Sequence, residues 1–433
     1  MKKIIVIGCP GSGKSTLSKK LNAILGIPVV HLDMLYWNSD RTTVEKTVFF
    51  ERLSKTIQMD EWIIDGNYGS TMELRLQACD TVIFLDYPID VCLNGIKERR
   101  GKVRTDMPWT EKEDEEDAEF IEFVKNYNSE CRPMVMELLD KYSDKDIYIF
   151  KNRNEAEEFL EILTLCDKIN LQPQIKQSVL SFVEKQDFKK IDEVQNDYFF
   201  YEKMKEALNK TRELLGEDLD GIKILSCMLK ASLNAYKVYK EKGISEEIFI
   251  ATMKCFTRFI DETYRMTGEW CFDRWWWTTR QVGCHLFRIG ELEYEIKPVD
   301  DDVVISLHIP SDADFSPSAV DKSLEEADKF FERYYPKLSG AKYICHSWLL
   351  DKQLQDMLKS DSNIVSFQNR FEIVDEGEAD TEFIEWLYNT KSTDFSTLPE
   401  NSYLQINVKE HLLSGGVIRN SYGVMKENGK KKI

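Results

Sequence analysis

The residues with the plainest chemistry lie near the amino terminus, in the run Gly8-Cys9-Pro10-Gly11-Ser12-Gly13-Lys14-Ser15, followed by Thr16. Glycines spaced in this way let backbone N–H groups turn inward around phosphate oxygens. Lys14 brings a point charge to the β- and γ-phosphates, and Ser15 offers a hydroxyl to Mg2+. Gly8, Pro10, Gly11, Ser12, Gly13, Lys14, Ser15 and Thr16 are therefore the candidate nucleotide-binding residues. ATP and Mg2+ are the expected ligands.

Such a loop works only between a strand and a helix. Ile4 to Ile7 form the apolar run before it, and Leu17, Leu21, Ile24 and Leu25 mark an amphipathic helix after it. Val29 to Asp33 reads as a second strand and Trp62 to Asp65 as a third, each delivering an acid at its C-terminal end, where open α/β sheets bind ligands. Thr81 to Leu85 and Ile147 to Phe150 complete five strands alternating with helices, which specifies a doubly wound parallel sheet over residues 1–165.

The loop from Gly8 to Ser15, His31-Leu32-Asp33, the run Trp62 to Tyr68, Arg75, Phe84-Leu85-Asp86 and Arg132-Pro133 together resemble the adenylate-kinase-related P-loop kinases known as DNA topology modulation proteins. The resemblance implies a phosphotransferase, in which catalysis is positioning and cancellation of charge. It implies that Asp65 holds Mg2+ and that Asp33 orients or deprotonates an acceptor hydroxyl; a turn carboxylate is the alternative for Asp33. Arg99, Arg100, Arg104 and Arg132 flank an acidic stretch, Trp109 to Phe120, and by resemblance form a lid closing over the phosphates, or else a solvated charged surface. Arg75 is a candidate for gripping the acceptor, and Asn152 with Arg153 for lying along adenine. Asn67 to Thr71 replaces the Phe-Pro-Arg signature of adenylate kinases, which argues against AMP as acceptor.

Composition sets outer bounds. A chain of 433 residues calls for two or three domains, and 42% hydrophobic with 31% charged residues is ordinary for a globular protein. A net charge of −18 argues against direct nucleic-acid binding. The ten cysteines lack C-x-x-C pairing and read as reduced thiols of a cytoplasmic protein. Neither a targeting segment nor an apolar run of the roughly 18 residues a membrane span needs is evident.

Beyond about residue 170 the apolar spacing is helical to about Tyr264, and Trp270, Trp275, Trp276 and Trp277 then crowd together, as a stacking platform or as core. Strands follow at Val303 to Pro310 and Tyr343 to Trp348, with a Pro-started helix from Ser316 between them. Two further strands are expected at Ile364 to Val374 and Tyr403 to Val408.

Leu307 to Pro310, His346 to Asp351 and Ser362 to Gln368 resemble acyltransferase domain-containing proteins with a helical N-terminal part (174–290) and a GNAT-like α+β C-terminal domain (291–425). That implies acyl-CoA as a cofactor, its pyrophosphate at the helix after the strand ending at Pro310. The usual Q/R-x-x-G-x-G/A loop is replaced by Ser311 to Ser316, whose Asp312 and Asp314 would repel a pyrophosphate unless turned away. His346 is the first candidate base for an attacking amine and His308 the second, either being alternatively a satisfied core histidine. Ser347 lacks a His-Asp partner at a diagnostic spacing. The expectation is a kinase fused to an acyltransferase, both acting on small molecules; a nucleotide-sensing switch governing an acyltransferase or acyl-CoA-binding module is the alternative.

Overall fold

Five apolar runs become the parallel strands of one sheet: β1 (Lys3–Gly8), β2 (Val29–His31), β3 (Trp62–Asp65), β4 (Thr81–Leu85) and β5 (Asp146–Phe150), ordered β2-β3-β1-β4-β5. Ile4, Ile5, Val6, Ile63, Val82 and Ile83 are completely buried because helices cover both faces of such a sheet. β1 is central, pairing Ile5 with Ile64 on one side and with Val82 on the other. Its glycine loop therefore opens at the middle of the sheet's C-terminal edge.

The computed structural model describes residues 1–110, 117–300, 302–427 and 429. Residues 111–116 of the expected acidic lid, and tail residues 428 and 430–433, lie outside the described residues. The chain divides into two units, Met1–Asp167 with Leu180–Gln186, and Lys168–Val179 with Asp187–Ile433.

The second unit begins with helices, among them Met204–Leu215, Ile222–Lys242, Glu246–Met253, Cys255–Thr267 and Trp275–Val282. A six-stranded sheet follows: β6 (Leu286–Ile289), β7 (Leu292–Val299), β8 (Asp302–His308), β9 (Tyr343–Ser347), β10 (Phe371–Asp375) and β11 (Ser421–Met425), ordered β10-β11-β9-β8-β7-β6. Only β8 and β9 run parallel, joined through the helix Pro317–Tyr334. The whole is an α/β fold: a doubly wound parallel sheet, then helices, then an α+β sheet domain.

Several elements differ from expectation. Ile364 to Gln368 is part of a helix, Asn363–Gln368, because the Ser362 hydroxyl accepts from Val365 N (3.2 Å) and caps it. Tyr403–Leu413 is likewise helical: Ser402 accepts from Gln405 N (3.2 Å), while Val408 and Leu412 bury one face. The last strand is β11, whose Gly423 leaves room for Leu350 and Phe371. Among the described residues no helix is long and apolar enough to cross a membrane, and the ten cysteines are free thiols.

Candidate functional sites

Gly11 has φ +85°, and a Cβ there would lie 2.1 Å from the Cys92 carbonyl oxygen, so only glycine fits. Gly13 has open space but φ +97°, which a side chain would strain. It caps the helix Lys14–Leu25 with backbone alone, leaving that N-terminus without an acidic residue in its first turn. Lys14 Nζ arches back, donating to the carbonyls of Gly8 (2.9 Å) and Cys9 (3.1 Å). Burial lowers its pKa, against the pull of Asp65 and Cys9. Thr16 is exposed on the first turn.

Asp65 is 3% exposed at the end of β3. One oxygen bonds His31 Nδ1 (2.8 Å); Oδ2 is buried with no hydrogen-bond partner among the described residues. A buried carboxylate oxygen without a donor is costly unless something positive meets it, so Asp65 fits a cation site. Asp33 lies not at a strand end but in the short helix Leu32–Tyr36, where Tyr68 Oη donates to it (2.6 Å). Burial raises its pKa, opposed by the Tyr68 bond and the charge of Lys14.

The arginines part company. Arg75 is fully buried and donates to the carbonyls of Gly66 (2.9 Å), Asn67 (2.6 Å) and Tyr68 (3.3 Å), so it braces the turn after β3 rather than reaching for an acceptor. Desolvation lowers its pKa to about 10. Arg132 is bidentate on Asp86 (2.8 and 2.9 Å), which Lys151 also pairs. Arg99 lies over the Phe120 ring at 5.7 Å, and Arg100 follows as the cap of the helix Ile89–Arg99. Asn152 caps the last helix of the unit through Glu155, and Arg153 beside it is exposed.

Arg104 binds Asp106, a residue the sequence did not single out. Asp106 is 4% exposed, accepts from Arg104 Nε (3.2 Å), has Lys19 at 3.9 Å, and lies near Ser15. Burial pushes its pKa up, but the Arg104 bond and charge, with Ser15 close by, outweigh that and hold the carboxyl well below its usual range.

In the second unit, β8 and β9 pair only as far as Leu307 with Cys345. The next residue on each strand is a histidine bonded away from the other strand. His346 is exposed, its Nε2 3.1 Å from the Asn420 carbonyl. His308 Nε2 bonds Glu295 on β7 (2.8 Å), with Trp277 edge-on at 4.8 Å. Glu295 is 2% exposed and also accepts from Tyr201 Oη (2.7 Å) and Arg280 Nε (3.0 Å). Burial raises its pKa, but His308 and Arg280 bring it down to about 2. His308, ranked second from sequence, therefore sits in the built polar site, whereas His346 has a backbone partner. Ser347 accepts from Leu349 N (3.2 Å), a local cap. The signal for Glu295 was present: Glu293 and Glu295 interrupt an apolar strand and are both buried.

The acids of the loop after β8 are turned to partners. Asp312 pairs with Arg288 (2.8 Å) and Arg258 (3.4 Å), Asp314 accepts from Ser316 N (2.9 Å), and Ser311 bonds Glu262. A cleft of about 540 Å3 adjoins this loop, where Lys168, Lys254, Arg258 and Arg288 stand with Glu246, Glu247 and Asp312, and Lys168 pairs with Glu246 (2.7 Å).

Residues 161–284 match the family model of the N-acyltransferase N-terminal domain, and residues 286–425 that of the GNAT-like C-terminal domain. The chain is 20% identical to a solved acyltransferase in complex with CoA and 10C-teicoplanin, with a TM-score of 0.50 over 64% of this chain and 96% of that one. An acyltransferase in complex with decanoyl-CoA aligns over the same shares at 19% identity and a TM-score of 0.50. At these identities the likeness shows the fold alone. A shikimate kinase from Bacteroides thetaiotaomicron is 20% identical over 39% of this chain and 98% of its own, but its TM-score of 0.24 carries no argument. No curated protein matches the chain.

Proposed function

We propose, for a chain whose residues 161–425 carry a GNAT-like acyltransferase and which is on that ground a transferase, that the acyltransferase takes an acyl-CoA and acylates an amine of a small molecule. The observation that carries this is the fork between β8 and β9, with His308 tied to Glu295 at its mouth. A carboxylate on Nε2 keeps the proton there and leaves Nδ1 as the basic nitrogen. His308 then removes a proton as the amine nitrogen attacks the thioester carbon; the C–S bond breaks and CoA leaves as the thiol. Such general-base help is worth about 10²–10⁴-fold. Asp312 of the loop 311–316 is neutralised by Arg288 and Arg258, and the cleft beside it offers Lys254 and these arginines to the CoA phosphates.

The first unit is proposed to be an ATP-dependent phosphotransferase acting on a small molecule or nucleotide. The glycine loop and the N-terminus of Lys14–Leu25 would cradle the phosphates, with Lys14 turned from its own loop carbonyls onto them. Ser15 and Asp65 would hold Mg2+, which supplies charge neutralisation at the phosphates. Asp33 would take the acceptor's proton, and Arg99, Arg104, Arg132 and Arg153 are the candidate cations around the nucleotide. The pairing of Arg104 and Arg132 with carboxylates favours a second reading, in which this unit senses nucleotide without transferring phosphate. The free thiols support a cytoplasmic setting.

Metabolite profiling of the full chain with Mg·ATP and a mixture of acyl-CoAs tests both activities. New phosphorylated and acylated products are expected. Acylation without phosphorylation, with ATP bound, selects the sensing reading, and neither product refutes the proposal.

A further inference from the structure

The surroundings of Asp33 say what kind of acceptor the first unit takes, provided the phosphotransferase reading holds. Tyr68, whose hydroxyl bonds Asp33, contacts Tyr36 (ring centroids 5.1 Å apart) and Phe49 (5.3 Å). Tyr36 meets Trp37 edge-on at 5.5 Å, and Trp37 meets Trp109 at 6.1 Å. Trp37 lies near Tyr68, and Tyr68 Oη donates to Asp33 (2.6 Å), so an aromatic pair leads to this carboxylate. Tyr36, Trp37, Tyr68 and Trp109 are only half-buried. Tyr36 and Tyr68 pack one side against the core of the unit, and the Arg41 guanidinium lies over Trp109 at 4.7 Å; a half-buried ring fixed in this way can still offer its remaining face or edge to a planar molecule.

Charge points the same way. Arg75, the cation expected to grip an acceptor phosphate, is committed to the carbonyls of residues 66–68. Arg104 has its charge matched by Asp106, and Arg52 Nη1 donates to the Leu35 carbonyl (2.9 Å). Arg41 is held over Trp109 and donates to the Thr110 carbonyl (3.4 Å), while Asp33, the carboxylate the hydroxyl would reach, disfavours a second phosphate beside it.

We infer that the acceptor is an uncharged molecule with a flat ring and a hydroxyl arm, a nucleoside or an aromatic alcohol and not a nucleotide. Its ring lies on the wall formed by Tyr36, Trp37 and Tyr68, beside Trp109 with its Arg41, and its hydroxyl reaches Asp33. The hydroxyl proton passes to Asp33, the acceptor oxygen bonds the γ-phosphorus, and the bond to the β,γ-bridging oxygen breaks with its electron pair leaving on ADP.

The test uses the full chain, calorimetry with Mg·ATP, and ADP release with adenosine, thymidine, 4-hydroxybenzyl alcohol, AMP, TMP and glycerol. Expected are at least tenfold faster ADP release with a ring-bearing uncharged acceptor than with its monophosphate or glycerol, and about a tenfold higher acceptor KM in Trp37→Ala, restored by Trp37→Phe. Nucleoside against aromatic alcohol is resolved by which arm responds. A preference for monophosphates, equal turnover of glycerol, or Mg·ATP binding with no acceptor active overturns the inference while leaving nucleotide binding intact. Failure of Mg·ATP to bind removes the phosphotransferase reading and the inference together.

Discussion

Replacing Asp106 by asparagine should strengthen Mg·ATP binding. The Asp106 carboxylate lies near Ser15, whose hydroxyl the proposed metal site needs, and draws the charges of Arg104 and Lys19 to itself. Nucleotide phosphates would have to bind beside this fixed negative charge. Two like charges several ångströms apart at a protein surface repel by about 1–2 kcal/mol, and the half-exposed Lys19 pair offsets little of that because water screens it. Asparagine keeps the shape and loses the charge, so about 1.4 kcal/mol of repulsion should vanish, a tenfold fall in Kd. The assay is calorimetric titration of the full chain with Mg·ATP. Because the carboxyl is held far below its usual range, the difference between wild type and variant should be constant from about pH 6 to about pH 8. An unchanged or weaker affinity in Asp106→Asn would refute the idea that this carboxylate repels nucleotide.

Glu295→Gln should slow thiol release from acyl-CoA to an amine acceptor by about 10²-fold with little change in KM, since the carboxylate positions His308 and does not touch substrate; an equal rise in KM would point to collapse of the site instead. Tyr68→Phe removes the bond that lowers the Asp33 pKa, so that pKa should rise. As the base must be ionised, the acidic limb of the phosphotransfer pH profile should move to higher pH, and a shift to lower pH would exclude Asp33 as base. Arg75→Ala strands three backbone carbonyls and should cost about 3 kcal/mol or more, read as a lowered Tm in thermal melts; an unchanged Tm with weakened acceptor binding would restore the gripping role.

The first sheet was legible because its signals are local: continuous apolar runs give buried parallel strands, and a glycine loop between strand and helix has one established geometry. The helical half of the second unit was legible by the same token, through spacings of three and four. The C-terminal end misled where two patterns compete. Leu404, Ile406 and Val408 alternate as in a strand, yet a Ser402 cap and the Val408–Leu412 face make a helix, and β11 hides behind a short glycine-containing run.

The sites show the same division. The glycine loop is a contiguous motif, whereas the His308 site draws on Tyr201, Arg280 and Glu295, residues far apart in sequence that meet only when β7, β8 and the Trp275–Val282 helix assemble. Asp106 was invisible for a related reason: it lies in a charged stretch, and only its bond to Arg104 and its place near Ser15 distinguish it from a wet surface acid. Arg75 misled because a buried arginine bracing carbonyls and one gripping a phosphate have the same appearance in sequence.

The most direct measurement is a calorimetric titration of the full chain with acetyl-CoA, octanoyl-CoA and decanoyl-CoA. The fork between β8 and β9 requires saturable binding of at least one of them at one site per chain, retained in His308→Ala, which should bind but not transfer. A folded protein giving no heat with any of the three would contradict the acyltransferase assignment of its second unit.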